Sequence, residues 1–150
     1  MILQDNMKPL YHFIVACIGS GIVYWSSHNI LYVFVFFIPA FLIDADHLLD
    51  YYLKFKKWEF PKIDILLNHL YDDYNGKVWV IFHSYELILI VTGFLFILLG
   101  KVFAIVFLLG FFSHIIFDIY AYDHKNKWLI YSLIYRWKHN FRIRSFYNKK

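Results

Sequence analysis

Residues 30 to 50 read ILYVFVFFIPAFLIDADHLLD: an uncharged run from Ile30 to Ile43 that closes on Asp44-Ala45-Asp46-His47, with Asp50 one helical turn further on. About 20 residues suffice to cross the hydrocarbon core of a bilayer as a helix. An aspartate inside such a span costs on the order of 2.5 kcal/mol or more, so it is kept there for a reason. This stretch therefore reads as a membrane span, Ile30 to Leu49, whose end carries chemistry.

Three further segments have comparable length and apolarity: Pro9 to Trp25, Val78 to Leu99 and Val102 to Tyr122. The chain is 61% hydrophobic and 23% aromatic with a mean hydropathy of +0.50, more apolar surface than 150 residues bury in water. Pro9 suits a first helical turn, where its missing N–H removes nothing. Ser26 to Asn29 and Gly100-Lys101 make short turns. The expected fold is all-α: one integral membrane domain, 1–150, forming a four-helix bundle of two helical hairpins. In the central loop, Ile63, Leu66, Leu67 and Leu70 predict a short amphipathic helix over Pro61 to Tyr71. Trp128 to Trp137 is aromatic and too short to span, and within the basic tail 123–150 it predicts a C-terminal interfacial helix. The N-terminus lacks a basic n-region and a cleavage pattern, so the first span is expected to be retained. The lone Cys17 lies in apolar sequence and permits no intrachain disulfide.

Lys and Arg near span ends stay on the cytoplasmic side. With four spans, 14 of the 15 basic residues fall on one side and only Lys101 opposite. Both termini and the central loop are thus expected in the cytoplasm, the protein in the inner (cytoplasmic) membrane. The net charge of +4 is then accounted for by anionic lipid headgroups, with no nucleic acid as partner.

That topology gathers five carboxylates and four histidines within roughly two helical turns of one membrane face: His12, Asp44, Asp46, His47, Asp50, His83, Glu86, His114 and Asp118. His114 and Asp118, and Asp46 and Asp50, are spaced i, i+4; His83 and Glu86, and Asp44 and His47, are spaced i, i+3. Such pairs share a helix face, and helix bundles build metal sites this way. A mixed His/Asp set suits Zn, with Mn or Fe as alternatives, as one or two ions. Taken singly, Asp50 borders the loop and reads as a solvated helix-end carboxylate. Gly19-Ser20-Gly21 reads as a close helix contact.

The order His12, Asp44-Ala45-Asp46-His47, His83-Ser84 and His114-x-x-x-Asp118 resembles the YdjM-like family of small inner-membrane metal-dependent hydrolases, over about the first four-fifths of the chain. The resemblance implies a multi-span helical hydrolase with His12, Asp46, His47, His83, His114 and Asp118 as metal ligands. It departs from the family's H-R-G-x-T-H-S run, where Val78 and Trp79 stand in the places of the first His and the Arg.

The expected function is a metal-dependent hydrolase at the cytoplasmic interface, acting on a phosphoester or lipid-linked substrate, with membrane lipids as partners. Asp44 or Glu86 would serve as general base or as a carboxylate fixing a ligating imidazole, and Lys54, Lys125 or Lys127 would attract the phosphate. The alternatives are a non-catalytic membrane protein with a structural metal site and a proton or metal-ion transporter. Transport needs polar groups at successive depths, and the other membrane half holds few.

Overall fold

The computed structural model describes residues 9–56, 76–121, 126, 128–142 and 145. The helix expected over Pro61 to Tyr71 and the cations Lys125 and Lys127 lie outside them. Among the described residues the chain is all-helical, without strands: α1 (Pro9–Ser27), α2 (Ile30–Phe41), α3 (Ala45–Phe55), α4 (Tyr85–Leu99), α5 (Lys101–Ala121) and α6 (Leu133–Lys138), with short 3-10 turns at Leu42–Asp44 and Leu129–Tyr131. Three helical runs are long and apolar enough to cross a membrane: Leu10–Ser27, Ile30–Phe55 and Lys101–Tyr120.

The fourth expected span is shorter than the sequence suggests. Val78 to Ser84 is not helical, and α4 begins only at Tyr85. Its 15 residues reach about 22 Å at ~1.5 Å per residue, against a core of about 30 Å. The chain divides into two compact units: Met1–Ile43 with Glu86–Tyr122, and Asp44–Tyr85 with Asp123–Lys150.

In the first unit α1, α2 and α5 pack on one another. Asn29 caps α2, its side chain accepting the Leu31 N–H at 2.9 Å, as asparagine does at helix starts. Ala16, Phe36, Ala40 and Val106 form the core, with Val23, Tyr32 and Val35 against it. Gly19 on α1 and Gly110 on α5 let α2 approach closely: a Cβ on Gly19 would strike the Phe36 ring, and one on Gly110 the Phe36 carbonyl. Small residues do this at helix contacts in lipid, where packing drives association. Gly19 is thus the close contact expected of the Gly19-Ser20-Gly21 stretch. By contrast, α4 is exposed at Leu89, Ile90, Phe94, Phe96, Ile97 and Leu98.

Pro39 sits inside α2, where it removes a ladder N–H. The ladder tightens to 3-10 at Leu42–Asp44.

The second unit is built on α3, the segment 76–85 and α6. Two buried carboxylates of α3 take the backbone N–H groups of the irregular segment: Trp79 donates to Asp50 Oδ1 at 2.6 Å and Phe82 to Asp46 Oδ2 at 2.8 Å. Arg136 of α6, itself buried, takes the carbonyls, Nη1 donating to Val80 and Nη2 to His83 at 3.3 Å. Backbone groups without a helical ladder need such partners away from water. The C-terminal segment expected at the interface is in part a packed element, with Ile130, Tyr131 and Arg136 buried while Trp128 and Trp137 are exposed.

Candidate metal centres

The core seam of the first unit leads into its polar site. On α1 the positions 12, 16 and 19 lie on one face, as do 110, 114 and 118 on α5, so the glycine and alanine contacts that hold the helices together also fix His12, His114 and Asp118. All three are buried. His12 Nε2 lies 3.2 Å from Asp118 Oδ1 and His114 Nε2 lies 3.4 Å from Asp118 Oδ2. The imidazoles stack with centroids 4.1 Å apart.

His114 Nδ1 is 3.1 Å from the Ala40 carbonyl. A carbonyl only accepts, so Nδ1 carries the hydrogen. In the neutral ring Nε2 then presents a lone pair toward a carboxylate oxygen. Two acceptors held face to face in a buried site require a cation or a proton between them. Two ligand atoms of a tetrahedral shell with bonds of about 2.05 Å stand ~3.4 Å apart, which matches the spacing here. His12, His114 and Asp118 form a group able to hold a metal ion.

The second unit repeats the arrangement with Asp44, His47 and His83. His83 Nε2 faces Asp44 Oδ1 at 3.3 Å, and His47 Nε2 faces the same oxygen at 3.8 Å. On its other side, His83 Nδ1 lies 3.1 Å from each oxygen of Asp46. A carboxylate behind a ligating imidazole is the common way to fix its tautomer and orientation. This group differs from the first in access: the Asp44 side chain is 26% exposed and that of Asp118 only 7%.

The nine residues singled out from the sequence therefore sort by position. Six fall in the two triads, with Asp44, expected as a base, standing among the donors. Asp46, expected as a ligand, lies behind His83. Asp50 is fully buried rather than solvated; besides the Trp79 N–H it meets Lys54 Nζ at 3.4 Å. Lys54, expected to attract phosphate, is held by that carboxylate. Glu86 is half-buried in the first turn of α4 and in neither triad. His83 and Glu86 do not share a regular helix, because His83 precedes the first residue of α4, Tyr85. Arg136 carries weight that the sequence reading missed; its signal was a cation set between two aromatic residues, Tyr135-Arg136-Trp137.

No protein-family model, curated protein or solved structure matches this chain.

Proposed function

We propose that this protein is a multi-pass hydrolase of the cytoplasmic membrane, a four-helix bundle of two hairpins with both termini inside, that uses bound zinc to cleave a phosphoester or lipid-linked substrate at the interface. The observation that carries the reading is the imidazole geometry: in both triads a histidine is fixed through Nδ1 and aims Nε2 at a carboxylate oxygen. Each triad supplies three protein donors, the number that catalytic zinc sites use while keeping a fourth position open. Resemblance to the YdjM-like hydrolases supports the same reading.

The two triads suit different tasks. His12, His114 and Asp118 are sealed, and would hold an ion that ties α1 to α5. Asp44, His47 and His83 are accessible through Asp44, and would hold the ion that works on substrate. When bound there, the metal would lower the pKa of a water and polarise the scissile group. Asp46 keeps His83 in the tautomer that presents Nε2, and Asp50 and Arg136 keep the chain around His83 from winding into a helix.

The test is hydrolysis of a panel of phosphoesters and short-chain phospholipids by zinc-loaded protein, beside the His83→Ala and His114→Ala variants. Turnover lost in His83→Ala supports the assignment. Metal-replete protein that cleaves nothing in the panel, with no exchangeable water on its metal, would leave only the structural-site reading.

A further inference from the structure

We propose that Lys77 and Arg142 form a binding site for a phosphate group, that of an anionic lipid headgroup or a free phosphate. Lys77 and Arg142 stand directly opposite each other in an isolated antiparallel bridge, both exposed, and Val78 N–H donates to the Phe141 carbonyl at 2.9 Å to hold the two segments together. Residues opposite one another in such a bridge project to the same face, where like charges are unfavourable. Among the described residues neither cation meets a carboxylate.

The backbone is bent to make this pairing. Arg142 N–H returns to the His139 carbonyl at 3.2 Å, closing a turn whose two central residues, Asn140 and Phe141, are both left-handed at φ 54 and 56. Such turns prefer Asn followed by Gly. Asparagine tolerates the conformation, but a phenylalanine there is a true outlier, and strain of this kind persists where the surroundings impose it, often at ligand clamps. Here the strain brings Arg142 opposite Lys77 and lays Phe141 on Trp79, the rings stacked with centroids 4.7 Å apart. Lys77 Nζ in turn lies over the Trp79 ring, 5.6 Å from its centroid, a favourable place for an ammonium.

The result is two cations on paired residues, one of them over an aromatic pair, in the same unit as the exposed Trp128 and Trp137, residues of the type that settles at headgroup level. A guanidinium and an ammonium side by side suit phosphate oxygens, the first by a planar fork and the second as a point charge. An anion between them removes the repulsion that the bridge otherwise holds in place. The site extends the proposed function by giving a phosphate-bearing substrate or lipid a place to be held, but it rests on its own observations and needs no metal.

The experiment titrates the full-length protein, in an uncharged detergent, with dihexanoyl phosphatidic acid, dihexanoyl phosphatidylcholine and inorganic phosphate, reading tryptophan fluorescence and melting temperature. Phosphatidic acid should bind in preference to phosphatidylcholine and raise the melting temperature, with affinity falling as salt is added. The double variant Lys77→Gln/Arg142→Gln should bind at least tenfold more weakly. Lys77→Arg should retain binding, as should the control Lys101→Gln. Competition by inorganic phosphate assigns recognition to the phosphate alone, and its failure to compete assigns it to the lipid headgroup. Binding that is equal for the two lipids, indifferent to salt, or unchanged in the double variant would overturn the proposal. Because the readout is binding, failure here leaves the hydrolase reading standing, and loss of turnover leaves this one standing.

Discussion

Arg136→Met removes the brace of the irregular segment while keeping most of its buried volume. Two carbonyls, Val80 and His83, lose a charged donor. Leaving a buried acceptor unsatisfied costs about 1–3 kcal/mol, so the expected loss is roughly 2–6 kcal/mol for the pair. For a chain of this length that corresponds to a fall in melting temperature on the order of 10 °C. Arg136→Lys should recover less than half of it, because an ammonium lacks the planar fork that reaches two carbonyls at once. The segment should also lose its hold on His83, so metal held by Asp44, His47 and His83 should bind more weakly, by ~10- to 100-fold as for other orienting partners of ligands. Thermal melting in detergent, with metal competition by a chromophoric chelator, reads both effects. If Arg136→Met melts within about 1 °C of the parent and holds metal as tightly, Arg136 does not brace the segment.

Asp46→Asn should weaken metal binding ~10- to 100-fold at the Asp44/His47/His83 triad while leaving the His12/His114/Asp118 triad loaded, as metal titration would read. Asp118→Asn or His114→Ala should release the ion of the sealed triad and lower the melting temperature, through loss of a ligand-linked contribution to folding. Gly110→Ala drives a Cβ into the Phe36 carbonyl and should cost about 1–3 kcal/mol, whereas Gly21→Ala meets open space and should be neutral or stabilising by melting. Reporter fusions at Asn75 and at the C-terminus should both read cytoplasmic; an external reading at either would break the proposed topology.

Three of the four apolar helices were legible because apolar length and polar punctuation are local properties: Asn29 begins α2 where the sequence places a turn. The pairing of His114 with Asp118 was legible for the same reason, as both sit on one regular helix. The break of the regular helix before Tyr85 was not. Val78 to Phe82 is apolar and suits either a helix or an irregular run, and the choice is made by partners distant in sequence: Asp46 and Asp50 take N–H groups of the run, and Arg136, over fifty residues away, takes the carbonyls of Val80 and of the following His83. Arg136 was hidden by the basic tail around it. Asp50 looked like a solvated helix end because its burial depends on a segment that follows the central loop. The division of nine polar residues into two triads with orienting partners depends on tertiary contacts such as Asp46 with His83, which spacing along the chain does not encode.

Metal content of the purified protein tests the central claim most directly. Protein prepared without chelator and measured by elemental analysis should carry a divalent transition metal at one or two equivalents per chain, falling by one equivalent in His114→Ala and in His83→Ala if both triads are loaded. Metal below about a tenth of an equivalent, with none regained on incubation with zinc, would contradict it, since sites built from preorganised imidazole and carboxylate donors bind tightly.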